Sequence, residues 1–265
     1  MYFLSTRPVW LLCVLAVLLT FLAMSGPYVV RRFVTLDRLT TNNEVAGFKF
    51  ATLGVLYAVL LAFVVIVVWE RFNDADQSVA AEAGAAATLY RLSGGMGHAG
   101  DAVRAQLSHY IEVDAAHDFP EMQHGRTSRE GTDALTALYD AVLAYQPADL
   151  RQQALAAEML HELDVLTAAR RDRLVMAAGS VPNIIWLVLF VGGFLTVTFT
   201  FFFGTANVRN QALMTGALAL LIHMVLDIAI AIDRPFAGPV KISPEPLTEI
   251  LAHFRATQAA AGSAP

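Results

Sequence analysis

The feature that most constrains this chain is where its charges are missing. A helix crossing the hydrocarbon of a bilayer needs about 20 successive apolar residues. Arg7 and Arg31 enclose 23 uncharged residues, with an apolar run at 9–24. Lys49 and Glu70 enclose 20, ending in YAVLLAFVVIVVW. Arg173 and Arg209 enclose 35, of which 183–203 is the most apolar part. Arg209 and Asp227 enclose 17, and the apolar character continues to Asp233. The pattern predicts an all-α polytopic membrane protein with four transmembrane helices. The first hairpin occupies 9–69, with spans near 9–30 and 50–69. A helical bundle outside the membrane occupies 70–181. The second hairpin occupies 182–233, with spans near 183–203 and 211–232, and a tail follows at 234–265. Composition agrees: only 15% of residues are charged and mean hydropathy is +0.53, against about 25% charged in a soluble domain.

The first span has a second reading. Arg7, the apolar stretch and Ala23-Met24-Ser25 before Gly26 have the layout of a signal peptide with a small-residue cleavage site. Against it stand the length of the apolar region and Pro27 just beyond the cut, and an uncleaved helix pairs naturally with the second span.

The segment between spans two and three differs in kind. From Glu70 to Arg173 it carries seventeen acids and nine bases, net −8, and its Ala- and Leu-rich, Pro-poor composition favours helix. The second span continues as one long helix to about Leu92, until Gly94-Gly95-Met96-Gly97 breaks it. Val103, Leu107, Tyr110, Ile111 and Asp114 trace a helical face, 118–131 reads as a loop, and Leu135, Leu138, Tyr139, Val142 and Leu143 mark a short helix. Leu155, Met159, Leu163 and Leu166 run along a longer one, predicted to enter the third span through a kink at Gly179 and Pro182. In the tail, Leu247, Ile250, Leu251 and Phe254 give 244–255 the pattern of an interfacial helix.

Several functions are excluded or left without support. The net charge of −5, with two Lys among eighteen basic residues, argues against nucleic acid as a partner. A single cysteine, Cys13, rules out an intrachain disulfide and any Cys₂ or Cys₄ metal site. His161-Glu162-Leu163-Asp164 lacks the second His of a zinc helix, Asp74 and Asp76 lack the rest of a calcium loop, and no nucleotide or nucleophile-elbow fingerprint occurs. No metal, cofactor or catalytic residue is predicted.

The second span is more informative. Gly47, Ala51, Gly54, Ala58 and Ala62 share one face, where small residues let helix backbones approach closely in lipid. About 100° around the helix lie Val55, Val59 and Phe63. A ring of such side chains from several copies would form a dewetting constriction; on spacing alone, packing of both stripes inside one subunit is the simpler reading. In the fourth span His223, Asp227 and Arg234 lie near one face at i, i+4 and i+11. A carboxylate at that depth either pairs or lines a wet path, or snorkels to the nearby helix end. Asp233, Arg234 and Phe236 read as a helix stop and membrane-edge anchor.

Two blocks resemble a known family. NNEVAGFKFATLGVLYAVLLAFVVIVVWERFNDA at 42–75 and AIDRPFAGPVKISPEPL at 231–247 are similar to the bacterial bestrophin-like membrane family, and more distantly to bestrophins. The resemblance covers about 9–251. It implies a homo-oligomeric, pentameric assembly in the inner membrane, with lipid and further copies of the chain as partners. It also implies an apolar neck at Val55, Val59 and Phe63, followed by Arg71-Phe72, and a permeant ion that in bestrophins is usually an anion. Two neck residues here are the small Val, no acidic calcium clasp can be placed, and a net −8 bundle is an unusual vestibule for anions. Both termini and the bundle are expected in the cytoplasm, as in bestrophins. The count of membrane-end bases leans the same way: Arg7, Arg71, Arg170, Arg171, Arg173, Arg234 and Lys241 against Arg31, Arg32, Arg38, Lys49 and Arg209. The competing function is a non-conducting membrane scaffold or sensor whose bundle binds a partner.

Overall fold

The computed structural model describes residues 9–179 and 181–262, and every regular element among them is helical. Ten α-helices occur: α1 Val9–Phe33, α2 Leu36–Thr40, α3 Asn43–Gly94, α4 Asp101–Val113, α5 Phe119–Met122, α6 Arg129–Leu143, α7 Leu150–Met176, α8 Asn183–Thr200, α9 Val208–Ile232 and α10 Glu245–Gly262. The chain divides into two compact units, Met1–Glu70 with Ser180–Asp233 and Arg71–Gly179 with Arg234–Pro265. The long helix α3 contributes to both.

The first unit holds the four helices that are long and apolar enough to cross a membrane: α1, the first part of α3, α8 and α9. Helix α1 packs along α9 because α9 presents small residues there. Ala212 and Ala219 are buried, and a Cβ on Gly216 would lie 2.6 Å from Cγ of Met24. The α8–α9 turn is closed by polar groups that satisfy the carbonyls α8 leaves at its end. The amide of Gln211 donates to the carbonyls of Phe203 at 2.7 Å and Thr200 at 3.1 Å. The amide of Asn43 holds Gly204 in both directions, at 2.7 and 2.9 Å. Helix α1 runs unbroken through Ala23, Met24, Ser25 and Gly26; Arg7, the basic residue of the signal-peptide reading, lies outside the described residues.

The second unit is built on the remainder of α3 with α4, α6, α7 and α10. Leu89, Leu107, Ile111, Leu138, Met159, Leu163 and Phe254 meet in one core. Two N-caps fix where its helices start: Ser128 Oγ accepts from Gly131 N at 2.8 Å, and Asp149 accepts from Gln152 N at 2.7 Å.

Five sequence expectations are corrected. Residues 118–131 are not one loop. A π turn at Asp114–Asp118 and helix α5 fill the first part, and α6 begins at Arg129. Leu143 is exposed at the end of α6, beyond the core that holds Leu135, Leu138 and Val142. The entry to the third span is a break instead of a kink: α7 stops at Met176 and α8 starts at Asn183. Gly179 there takes φ 89°, a conformation glycine adopts freely. The apolar side of α10 does not face a membrane interface, because Leu247, Leu251 and Phe254 are buried in the bundle, with Phe254 stacked on Tyr90 at 3.8 Å. Phe236 is no lipid-facing anchor either: it is buried and meets Phe119 edge-on at 6.0 Å.

Candidate functional site

Within its apolar part, α3 has one face turned to its own chain. Tyr57, Leu61, Val64 and Val68 are buried, at the 4-3-4 spacing of a single helical stripe. Opposite Tyr57, α8 carries Gly192 and Gly193, where an added Cβ would lie 2.8 Å from the Tyr57 ring and 2.9 Å from its hydroxyl. This is a close approach of the two helices. Its signal in the sequence is a glycine pair inside an otherwise bulky span.

Val55, Val59 and Phe63 are 63%, 49% and 64% exposed. At roughly 100° per residue their stripe is centred about 170° from the buried one, although Phe63 also borders an apolar groove against Val181, Pro182 and Ile184 at the start of α8. Gly47, Ala51, Gly54, Ala58 and Ala62 lie between the two stripes. Ala51, Ala58 and Ala62 are exposed, and a Cβ on Gly47 or Gly54 would meet nothing within 4 Å. The simpler reading, that both stripes pack within one subunit, is therefore overturned. Glu70 continues the outer stripe seven residues beyond Phe63, and it too is exposed.

In the fourth span His223 and Asp227 stand one turn apart on α9. His223 Nδ1 is 2.6 Å from the carbonyl oxygen of Ala219, so that ring nitrogen is engaged with its own helix and not with Asp227, which is half-buried. Asp233 is buried at the end of α9 and accepts a hydrogen bond from Val181 N at 3.1 Å, fixing the start of the third span. Arg234 follows it half-buried. No group of three or more His, Cys, Asp or Glu placed to hold a metal occurs among the described residues.

The sequence reading missed a buried charge cluster in the second unit. Arg173 is fully buried and donates to Glu82 at 2.8 and 3.1 Å and to Asp114 at 2.7 Å. Its guanidinium also lies over the Phe119 ring at 4.7 Å. Tyr110 donates its hydroxyl to Glu82. Arg170 donates to Asp118 at 2.9 Å, and Ser128 N donates to the same carboxylate at 3.1 Å.

Three buried carboxyl groups thus face two guanidiniums. Burial pushes Asp114 well above the usual carboxylate range, with Glu82 and Asp118 adding to the effect against the pull of Arg173. Burial acts in the same direction on Asp118, but hydrogen bonds from Asp114, Ser128 and Arg170 outweigh it and hold Asp118 below its usual range. The surroundings thus separate the two groups: Asp114 is shifted toward its protonated form and Asp118 toward its carboxylate. Burial alone would lower Arg173, yet Glu82 and Asp114 raise it and keep it charged. Arg170 and Arg173 had been counted as membrane-end bases; both instead face buried acids. Without them the two sides of the membrane carry equal numbers of bases in that count.

A bestrophin-like domain profile matches residues 15–247. No curated protein matches the chain. A crystal structure of a bacterial bestrophin homologue from Klebsiella pneumoniae superposes with a TM-score of 0.68 at 17% identity, covering 97% of this chain and 100% of that one. A point mutant of a bacterial bestrophin homologue from the same organism gives 0.69 at 16% identity, covering 94% and 99%. A further crystallised membrane protein gives 0.71 at 16% identity, covering 91% and 96%. At these identities the structural likeness speaks for the fold, and the profile, spanning most of the sequence, speaks for ancestry: this chain belongs to the bestrophin-like family.

Proposed function

We propose that copies of this chain assemble as a pentamer in the bacterial inner membrane and form an ion channel, with the outer stripe of α3 lining the axis. Val55, Val59 and Phe63 then form three stacked apolar rings, the neck. Gly47, Ala51, Gly54, Ala58 and Ala62 form the flank on which neighbouring copies meet. One observation carries the reading: the neck residues are exposed and point away from the chain's own packing face. The family and the fold support a bestrophin-like channel in general. Both termini and the bundle are cytoplasmic in this reading, on the resemblance to bestrophins.

Ion sign follows from what the axis presents. The resemblance to bestrophins favours anions. Glu70, on the same stripe as the neck, adds a ring of carboxylates at its end, and such rings favour cations. This ring restrains anion passage.

Assembly about α3 is tested by introducing Val59→Cys into a Cys13→Ser background and oxidising the protein in membranes. The expected product is a disulfide between copies, with none from Leu187→Cys on the exposed side of α8. An assembled protein in which Val59→Cys stays monomeric on denaturing gels would refute the placement.

A further inference from the structure

The second unit contains a cavity of about 450 Å³ that the channel reading does not use. Its walls come from the end of α3, from α4 and from the tail helix α10. Tyr90, Ile250 and Phe254 supply an apolar lining, with Tyr90 and Phe254 stacked at 3.8 Å. The polar groups are Arg91, Arg104, His253, Thr257 and Glu249. Two guanidiniums from different helices converge here although the stretch from Glu70 to Arg173 carries net −8.

Arg104 is only partly occupied. One of its terminal nitrogens is 3.3 Å from Asp101, and its guanidinium lies 5.8 Å from the Tyr90 ring centroid. Its Nε–H is buried without a hydrogen-bond partner. The terminal nitrogens of a guanidinium match the oxygens of a phosphate or carboxylate.

We propose that this cavity binds a small soluble phosphate monoester with an apolar, ring-bearing body. Arg104 and Arg91 bring two guanidinium charges from two helices, which suits the nearly doubly charged monoester better than the single charge of a carboxylate. The volume exceeds what inorganic phosphate needs, and the aromatic lining takes up the remainder. A lipid headgroup is the less suitable source. Arg91 stands twenty residues beyond Arg71 on α3, about 30 Å along the helix.

The test is calorimetric titration of the detergent-solubilised full chain with phenyl phosphate, inorganic phosphate and benzoate, and of the nanodisc-embedded chain with and without phosphatidic acid. Phenyl phosphate should bind more tightly than either smaller or carboxylate probe, and phosphatidic acid should not compete with it. Arg104→Gln and Arg91→Gln should each weaken binding about 10-fold or more, as expected for a lost charge-assisted hydrogen bond. Glu249→Gln should strengthen it by removing the opposing carboxylate, an effect no loss of structure would produce. Absence of phenyl phosphate binding, unchanged affinity in both arginine variants, or displacement by phosphatidic acid would each overturn the proposal. Binding is read without conductance, so its outcome is separate from that of the channel reading.

Discussion

Replacing Arg173 by Met tests the buried cluster most sharply. The guanidinium is 0% exposed, makes three hydrogen bonds to carboxylates at 2.7–3.1 Å and joins Glu82 on α3 to Asp114 on the π turn. Met keeps much of the volume and removes the charge. It leaves Glu82 buried without its cation, and breaking a buried pair on one side costs about 3–5 kcal/mol. At about 2–4 °C per kcal/mol for a chain of this size, that corresponds to a fall in Tm of roughly 6–20 °C. The assay is thermal unfolding of the detergent-solubilised protein followed by circular dichroism at neutral pH. The double variant Arg173→Met with Glu82→Gln should recover more than half of the loss, because neutralising both partners removes the stranded charge. A fall of less than about 2 °C in the single variant, or no recovery in the double, would refute the claim that Arg173 balances these acids.

Five further outcomes follow from the structure. Asp114 is raised by burial and its acidic neighbours, so the stability it contributes is complete below about pH 4 and is lost as pH rises through its folded value. Asp114→Asn should therefore flatten the decline of Tm on the alkaline side, as measured by melts across pH. Asp118 is held low, so its contribution is present above about pH 4 and is lost as pH falls below that value. Asp118→Asn should remove that acid-side loss while lowering Tm at pH 7. Gly192→Val should drive a side chain into Tyr57 and cost about 1–3 kcal/mol, seen as a lower Tm of the subunit. Gly54→Leu meets open space in the chain and should leave that Tm unchanged while reducing the fraction of the proposed assembly on size exclusion. Glu70→Gln should move the reversal potential of reconstituted protein toward that of chloride.

The membrane helices were legible in the sequence because absence of charge over 17 to 35 residues is a one-dimensional property. The length of α3 was legible because no Gly or Pro interrupts it between Gly54 and Gly84. The two stripes of α3 were visible as periodicities, but periodicity does not say which neighbour a face meets. Only the structure shows that Tyr57, Leu61, Val64 and Val68 take the inward side. Glu82, Asp114, Asp118, Arg170 and Arg173 went unrecognised because they are far apart in the chain and sit among ordinary surface charges. The one hint was Asp114 on an otherwise apolar face with Val103, Leu107, Tyr110 and Ile111. The tail helix was recognised as amphipathic, yet an apolar stripe looks the same whether it meets lipid or protein. Phe254 on Tyr90 is the contact that decides it.

The central claim is that the exposed stripe of α3 forms the constriction of a channel. Its most direct test is ion flux through proteoliposomes containing Val55→Ala, Val59→Ala and Phe63→Ala together. Each substitution acts in every copy at once, so the rings widen together and wet more readily. The predicted result is a flux well above wild type from an assembly of unchanged size, with Phe63→Ser alone giving part of the increase. Normal assembly with flux no greater than wild type would contradict the claim.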